Sequence, residues 1–390
     1  MDNKKKVAAI ITTYFPNSHA DVIATKYMKG FPTDEDLKPP RTELVSIYLD
    51  QIDPRDIGVG LAEEHNVPIY QSIRQALTLG ESDLAVDGVI LIGEHGDYPH
   101  NEFEQHMYPR RYMFEQICGV FASSGRSVPV FNDKHLAYNW DDANWMYERA
   151  KELDVPFMAG SSLPLGWRQP FLEHDLDTPI DSAVGIGYGG IESYGFHAIE
   201  TLQCMIERRK GGESGVVAVQ CLEGDAVWEA AENGEWSISL ADAACHQIKN
   251  RPDKSIIEGC PNPAVFLIEH TDGFKSAVLM LNGYVTDFAY AAQVGENVYS
   301  TEVYLQNGVP YSHFSYLSLN IEEMFLTGVP QYPAERTLLT TGILDTIMHS
   351  RHQGHIRLET PHLENIKYQS FDKTPIRPTA PRPEGATLQN

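Results

Sequence analysis

Cysteine is scarce in this sequence, positive charge is outnumbered, and long apolar runs are missing. The five cysteines are scattered without a C-x-x-C pair, which argues against a disulfide framework or a thiolate zinc site and favours reduced thiols in the cytoplasm. Among the 390 residues, 30 Lys and Arg face 54 Asp and Glu, a formal net charge of −24. Such a surface repels nucleic acids and anionic membranes, so neither is expected as a partner. No apolar stretch approaches the roughly 18 residues of a transmembrane helix.

Apolar runs alternate with helical patterns through residues 1–160. The runs predicted as strands lie at residues 7–11, 44–49, 67–70, 86–92, 128–131 and 155–159, and the fourth is the most continuously apolar. Pro109 and Gly125 predict the ends of one intervening helix, and Asn139 is expected to cap another. This alternation predicts an α/β, Rossmann-like domain with a doubly wound parallel sheet. Its functional residues are expected at the carboxyl ends of the strands.

A different pattern begins after residue 160. One helix around residues 197–209 is followed by strand-like runs, including a hairpin expected to turn at Asp272 and Gly273. Residues 161–370 are therefore predicted to form an α+β domain with a mostly antiparallel sheet. Residues 371–390 are rich in proline and poor in apolar side chains, which predicts an extended tail that lies on a neighbouring subunit.

Two motifs resemble those of the Gfo/Idh/MocA family, named for glucose–fructose oxidoreductase and inositol dehydrogenase. After a predicted strand, Asp133-Lys134-His135 resembles the family's Glu-Lys-Pro motif, which a capped helix and another strand follow. The segment GGIESYGFHAIETL resembles the family's D-x-G-x-H-x-x-D signature. The residues at the signature positions are Ser193, Gly195, His197 and Glu200. Because the C-terminal helix and strand are also similar to the family's closing elements, the resemblance spans nearly the whole chain.

The resemblance implies oxidation or reduction of a sugar or polyol with NAD or NADP in a cleft between the two domains. Lys134 would lie at the base of the cofactor cleft and donate hydrogen bonds to the reacting hydroxyl, and His197 would be the acid–base residue. Both residue types suit proton transfer, since burial lowers the pKa of a lysine and a histidine titrates near neutrality. Members of the family commonly associate through the open sheet of the second domain, so the resemblance also implies a homodimer or homotetramer.

The sequence departs from the family at the first turn, where a dinucleotide requires close backbone approach and hence glycine. The family's G-x-G-x-x-G positions fall on Ile11, Thr13 and Pro16, and none is glycine. The glycine-rich segment 185–190 lies after the first domain and is not interpreted as this turn. The residues that would face the cofactor are Thr12, Thr13, Tyr14, Lys134 and, at the end of the second predicted strand, Asp50.

A second departure is the loop GEHGDYPHNEFEQHMYPRR, directly after the most apolar strand. An extended backbone would direct His95 and Asp97 to one side, and a helix would bring Glu102 and His106 to one face. Imidazole and carboxylate at such spacing predict a divalent metal such as zinc or manganese on His95 and Asp97. A polar loop without ligands remains the alternative.

Other polar residues near the domain junction are candidate contacts for substrate. Trp167 and Arg168 are predicted to form a stacking wall for a sugar. The histidines at 313, 349, 352 and 355 are predicted to be solvated or core residues. The candidate catalytic residues are Lys134, His197 and His95. The candidate substrate-binding residues are Asp97, Glu102, Arg110, Arg111, Trp167, Arg168, Glu192 and Tyr194.

Three functions stay open at this point. The first is an NAD(P)-dependent oxidoreductase of sugars or polyols. The second is a non-redox lyase, isomerase or hydrolase of carbohydrate that uses the cluster His95, Asp97, Glu102 and His106, with or without a divalent metal. The third is a catalytically silent binding protein, against which the presence of both Lys134 and His197 argues.

Overall fold

The computed structural model describes residues 4–306, 308–372 and 376–378. Its first part is built from β1 (Lys5–Ile11), α1 (His19–Lys29), β2 (Phe31–Pro32), β3 (Leu37–Lys38), β4 (Thr42–Leu49), α2 (Gly58–Glu64), β5 (Ile69–Tyr70), α3 (Ile73–Thr78), β6 (Gly88–Ile92), α4 (Arg110–Ser124), β7 (Val130–Asp133), α5 (Trp140–Glu152) and β8 (Phe157–Gly160). Six strands form a parallel sheet in the order β5-β4-β1-β6-β7-β8. The predicted doubly wound α/β domain is confirmed.

Local sequence signals set the helix ends of this domain. Pro109 precedes α4, and Gly125 ends it in the left-handed conformation with φ 62°. The side chain of Asn139 accepts a hydrogen bond from the N–H of Asp142 and caps α5. These predicted helix boundaries are confirmed because they depend on local chemistry rather than on tertiary contacts.

The second part contains a 3-10 helix (Leu163–Leu165), β9 (Trp167–Gln169), β10 (Ser182–Gly187), α6 (Ile191–Ile206), β11 (Val216–Glu223), α7 (Asp225–Glu232), α8 (Ile238–Cys245), α9 (Ile256–Gly259), β12 (Asn262–His270), β13 (Lys275–Asn282), β14 (Phe288–Val294), β15 (Asn297–Tyr304), α10 (Ser312–Thr327), α11 (Ala334–His352) and β16 (Leu358–Glu359). Eight strands form one sheet in the order β16-β11-β12-β13-β10-β14-β15-β9. Its described pairs are antiparallel apart from β10 with β13. The α+β prediction and the hairpin between β12 and β13 are confirmed.

Helix α10 lies within the range predicted for the second domain but packs on the parallel sheet. The Tyr27 hydroxyl on α1 donates to the Ser318 carbonyl on α10 at 3.0 Å. Phe325 of α10 lies so close to β6 that a Cβ on Gly88 would come within 2.6 Å of its ring. The chain therefore returns to the first domain after β15, and this return brings the start of α10 to the cleft between the domains.

Both faces of the second sheet are covered by the chain itself. Helices α6 and α11 pack on one face, and α7, α8 and α9 contribute to a separate buried cluster on the other. In that second cluster, Leu240 and Ala244 of α8 pack with Val184 and Ile186 of β10. The homo-oligomer stays a prediction, but the open sheet face on which it was based is occupied by residues 225–259.

The predicted tail lies mostly outside the described residues, which end at 372 and resume only for 376–378. In that short piece, the N–H of Ile376 donates to Asn320 Oδ1 at 2.9 Å and its carbonyl accepts from Asn320 Nδ2 at 2.7 Å. These bonds join it to α10 of the same chain. All five cysteines are buried and free. No helix among the described residues is long and apolar enough to cross a membrane.

Candidate active site

A cavity of about 350 Å³ lies between the two domains, at the carboxyl ends of β1, β6 and β7. This is the edge at which a doubly wound sheet places its ligand. The parallel-sheet side contributes His19, His95 and Lys134, and α6 contributes Tyr194 and His197. The start of α10 closes the cavity, with His313 among its lining side chains.

Glu94, the second residue after β6, anchors a buried charge cluster beside this cavity. Its Oε1 lies 3.2 Å from the Lys134 ammonium, and Arg110 Nη2 donates to Oε2. Burial acts to raise the pKa of Glu94, but Lys134 and Arg110 outweigh it and hold that pKa well below the ordinary value. A Cβ on Gly93 would lie 2.6 Å from Arg110 Cγ, so the absence of a side chain there lets Arg110 reach Glu94.

Lys134 links the two domains. Besides its pairing with Glu94, its Nζ donates to the Ser193 carbonyl in the first turn of α6 at 2.9 Å. His197 lies four residues further along the same helix and therefore one turn away. The structure thus brings Lys134 and His197, which are far apart in the sequence, to one cavity.

Two further residues orient His197. Its Nδ1 lies 3.2 Å from Ser161 Oγ, and this hydroxyl donates to Glu200. When Glu200 is ionised, the Ser161 proton points to it, so His197 Nδ1 is the donor to Ser161 and Nε2 is the proton acceptor. Burial, reinforced by Lys134, lowers the pKa of His197 well below its ordinary value, so the imidazole is neutral at pH 7. Burial raises the pKa of Glu200 to about 7.

A second pair of imidazoles lies on the parallel-sheet side of the cavity. His19 Nδ1 is 2.6 Å from Asp133 Oδ2, a carboxylate at the end of β7 that is fully buried. The rings of His19 and His95 are 5.5 Å apart between centroids. Burial lowers the pKa of His95 to about 4. One potential ligand atom each of His19, Glu94 and His95 lies within 4.8 Å of the others, which makes this a candidate metal-binding group.

The geometry predicted for the loop after β6 is wrong in two places. His95 is left-handed, with φ 67°, rather than extended, so Asp97 does not follow it into the cavity. Asp97 is exposed, and its N–H donates to Gln51 Oε1 at 2.8 Å. The segment around Glu102 and His106 forms turns rather than a helix, because Pro99 and Pro109 bracket it and a left-handed Glu104 interrupts it.

Glu102 and His106 are therefore separated. Glu102 is exposed and borders a surface hollow with residues of α11. The His106 ring stacks between those of His100 and Tyr108, at 4.3 and 3.9 Å between centroids. The predicted ligand set His95, Asp97, Glu102 and His106 does not converge.

Arg111, Trp167 and Arg168 have structural roles. Arg111 donates to Asp142 at 3.0 Å and lies 3.9 Å over the Trp145 ring, which joins α4 to α5. Trp167 is buried in β9, where its Nε1 donates to Asp34. Arg168, also buried, donates to Glu173 at 2.7 Å. The predicted stacking wall is wrong, because both side chains are buried and neither lines the cavity.

The other two predicted contacts lie near the cavity. The Tyr194 ring is 5.9 Å from that of His197 and lines the cavity directly. Glu192 lines an adjoining groove and accepts a weak hydrogen bond from the His106 N–H at 3.4 Å. Burial raises the pKa of Glu192.

Of the five residues predicted to face a dinucleotide, Lys134 lines the cavity and the other four do not. Thr12, Thr13 and Tyr14 are all buried. The Thr12 hydroxyl donates to the Glu94 carbonyl at 2.7 Å. The Tyr14 ring packs against α2, where a Cβ on Gly58 would come within 2.7 Å of it. Asp50 accepts hydrogen bonds from the hydroxyls of its neighbours Tyr48 and Tyr98 at 2.8 and 2.7 Å.

Three N–H groups of the turn between β1 and α1 already donate hydrogen bonds within the chain. The N–H of Phe15 donates to Ser18 Oγ at 3.2 Å, and the N–H of Ser18 donates to the Phe15 carbonyl at 3.0 Å. The N–H of Asn17 donates to the carboxylate of Asp21 at 2.9 Å. A phosphate would have to displace these bonds and approach that carboxylate. The residues of this turn therefore do not fit the diphosphate of NAD or NADP in the usual manner.

Sequence reasoning missed three residues of the site. Glu94 is the first charged residue after the most apolar strand, and its position at the sheet edge was a signal that the neighbouring His95 obscured. Ser161 follows β8 in the same way. His313 had no such signal, because only the return of α10 to the first domain brings it to the cavity.

Neither a protein-family model nor a curated protein sequence matches this chain. Among solved structures, GenD2 from gentamicin A biosynthesis, in complex with NAD, is similar with a TM-score of 0.59 at 14% identity, covering 92% of this chain and 97% of that one. Myo-inositol 2-dehydrogenase from Lactobacillus plantarum gives 0.56 at 11% identity over 92% and 99%. Aldose-aldose oxidoreductase from Caulobacter crescentus gives 0.52 at 12% identity over 92% and 100%. At these identities the similarity establishes the two-domain fold of such dehydrogenases.

Proposed function

We propose that this chain is an enzyme that performs proton-transfer chemistry on a sugar or polyol in the interdomain cavity. The observation that carries the proposal is the pairing of two complementary groups on one cavity. The neutral His197 imidazole comes from the second domain, and the Lys134 ammonium, held by Glu94, comes from the first. A binding protein has no need of a lysine and an oriented imidazole facing the same enclosed space.

The two groups divide the chemistry between them. His197 accepts a proton at Nε2, since its Nδ1 is committed to Ser161. Lys134 donates a hydrogen bond to the substrate oxygen on which negative charge develops. Acid–base groups positioned in this way accelerate reactions by about 10²–10⁴-fold. Ser161 and Glu200 are positioning residues that fix the tautomer of His197.

Three observations support a small polyhydroxylated substrate. The cavity, at about 350 Å³, is near the lower end of the ~300–1,000 Å³ typical of ligand pockets. Its lining combines hydrogen-bonding groups with the aromatic rings of Tyr194 and Phe288, a combination that suits the polar edges and apolar faces of a sugar. The structurally similar proteins named above act, by their names, on inositol and aldoses.

Two versions of this chemistry remain, and the geometry favours the non-redox one, a lyase or isomerase reaction that starts with proton abstraction. The turn after β1 lacks the glycines of a phosphate-binding turn, its own side chains use the N–H groups of Phe15 and Asn17, and Asp21 adds negative charge. The second version is hydride transfer with NAD or NADP. The NAD complex of GenD2, with its similar fold, favours it.

Nucleotide titration and isotope exchange separate these versions. We expect no calorimetric binding of NAD(H) or NADP(H) to the purified chain, and deuterium incorporation or dehydration when sugars and polyols are followed by NMR in D₂O. Binding of a nicotinamide nucleotide, with its reduction by a polyol, would establish the redox version. If neither exchange nor reduction occurs across the panel, and His197→Gln behaves as the wild type in every assay, the proposed function is wrong.

A further inference from the structure

Three potential metal ligands meet on the parallel-sheet side of the cavity. His19 comes from the first residue of α1, and Glu94 and His95 come from the loop after β6. One nitrogen or oxygen of each lies within 4.8 Å of the other two. Two neighbouring strands thus deliver two imidazoles and one carboxylate to the same point.

This donor set matches a catalytic zinc site, in which two histidines and one glutamate leave a fourth position open. Bonds of 2.0–2.1 Å at tetrahedral angles place ligand atoms about 3.3 Å apart. Side-chain rotations that move each ligand by roughly 1 Å would bring the group from its present spacing to that geometry. The fourth position would face the cavity, since His19, Glu94 and His95 all line it.

Asp133 supplies the outer contact that zinc-bound histidines require. Its Oδ2 is 2.6 Å from His19 Nδ1, so that Nδ1 carries the proton and Nε2 is left for a metal. Histidine ligands are commonly oriented by a carboxylate in this way. Asp133 is fully buried, and its Oδ1 has no hydrogen-bond partner among the described residues.

The backbone at His95 is a second, independent sign of a functional constraint. His95 adopts φ 67°, a conformation that non-glycine residues seldom adopt unless the surroundings or the function require it. In this conformation the His95 ring lies 5.5 Å from the His19 ring between centroids.

An ion at this point would share Glu94 with two cations. Lys134 lies 3.2 Å from Oε1 of Glu94, and Arg110 donates to Oε2. The buried carboxylate of Asp133 lies beside His19 and adds a second acidic group. The remaining position on the ion would favour an anionic oxygen, such as a substrate alkoxide.

We propose that His19, Glu94 and His95 bind one divalent ion of the zinc type, with Asp133 as the residue that orients His19. The inference stands on ligand geometry and does not require the proposed function. Compared with the sequence-based prediction of a metal on His95 and Asp97, it keeps His95 and replaces Asp97 by Glu94 and His19.

The test is metal binding by the full chain after chelator treatment and dialysis. Zn²⁺ binding is measured by calorimetry, and Co²⁺ is used as a spectroscopic probe whose visible absorption reports tetrahedral coordination. We expect one equivalent of either ion. His19→Gln and His95→Gln are expected to weaken binding by more than 100-fold, and Asp133→Asn by about 10–100-fold.

The control is His352→Gln, which alters an exposed histidine of α11 and is expected to bind the metal as the wild type does. His197→Gln is also expected to retain the metal, so that loss of turnover without loss of metal separates this inference from the proposed function. The inference is overturned if the wild type binds neither ion stoichiometrically, or if His19→Gln binds as tightly as wild type. Should His95→Gln fail to fold, the wild-type Co²⁺ spectrum and His19→Gln decide the question.

Discussion

Two clusters of buried charge in this protein contain similar residues but differ in how completely their hydrogen bonds are used. The cavity cluster joins Glu94 to Arg110 and Lys134 beside the interdomain cavity. The core cluster joins Glu213 to Arg209 and His270 inside the second domain. In both, neighbouring positive groups overcome burial and hold the pKa of the glutamate well below its ordinary value. A perturbed pKa alone therefore does not distinguish a functional site from a structural one.

In the core cluster, the buried carboxylate has hydrogen-bond partners on both of its oxygens. Both carboxylate oxygens of Glu213 accept several hydrogen bonds, from Gln203, Arg209, Ser214, Gly215 and His270. By contrast, Arg110 in the cavity cluster has Nε and Nη1 buried without a partner among the described residues. Lys134 borders the cavity. Buried charge alone therefore does not mark the candidate site. The cavity cluster differs from the core cluster in the unused donors of Arg110 and in the position of Lys134 on the cavity wall.

The largest difference in activity between the two clusters is expected when their cations, Lys134 and Arg209, are replaced. Lys134→Met should lower kcat/KM for the sugar or polyol identified in the screen by about 10²–10⁴-fold. Because Arg110 still pairs with Glu94 and Lys134 makes fewer contacts than Arg209, the melting temperature should fall less than in Arg209→Met. Steady-state kinetics and calorimetry check both quantities. The matched control is Lys151→Met, an exposed lysine of α5, and equal kinetics in the two variants would remove Lys134 from the site.

The reverse outcome is expected in the core cluster. Arg209→Met would leave Glu213 buried with one cation fewer, which should lower the free energy of unfolding by about 3–5 kcal/mol. Turnover per folded molecule should remain that of the wild type, since Arg209 does not line the cavity. Urea unfolding measures the loss of stability, and steady-state kinetics divided by the concentration of folded protein measure the turnover. A stable but inactive Arg209→Met would contradict the division between the clusters.

The two clusters also differ from Glu200, a buried carboxylate with no ion-pair partner among the described residues. Its pKa is raised from the ordinary 4.5 to about 7. Since the folded state binds this proton more tightly, the associated stability is present below pH 4.5 and is lost as the pH rises through 7. Glu213 has a lowered pKa, so its effect on stability has the opposite sign. It changes the free energy of unfolding only below its ordinary pKa and therefore adds no pH dependence between pH 4.5 and 7.

Replacing Glu200 should remove its contribution to the pH dependence of the unfolding free energy. At about 1.4 kcal/mol per pKa unit, the unfolding free energy lost between pH 5 and 8 should be smaller in Glu200→Gln than in the wild type by up to about 3 kcal/mol. Urea titrations of wild type and variant at both pH values measure the difference. An unchanged slope would assign the pH dependence to other groups, such as Glu302, whose pKa burial also raises to about 7.

The sequence allowed the fold to be predicted better than the site. Strands buried on both faces and helix caps such as Asn139 leave strong local signals, so the parallel sheet could be derived. The positions of Lys134 and His197 came from motif resemblance. The partners of Lys134 could not be derived, because Glu94 and Arg110 meet only after the loop 95–109 folds back through left-handed residues. His313 depends on a long-range return of the chain.

Gly93 is the residue that allows the cavity cluster to form, and it offers the smallest and sharpest test. In Gly93→Ala the new methyl group would overlap Arg110 Cγ at 2.6 Å, which should cost about 1–3 kcal/mol in unfolding free energy. Displacement of Arg110 would also loosen Glu94 and lower turnover.

The matched control is Gly119→Ala in the middle of α4. A Cβ there meets no atom within 4 Å, so the substitution should stabilise the helix by about 0.5–1 kcal/mol and leave turnover unchanged. Changes of opposite sign in the unfolding free energies of Gly93→Ala and Gly119→Ala would show that the cavity cluster depends on the absence of a side chain at Gly93. If Gly93→Ala were as stable and active as wild type, Arg110 would have other routes to Glu94, and the cavity cluster would not depend on this glycine.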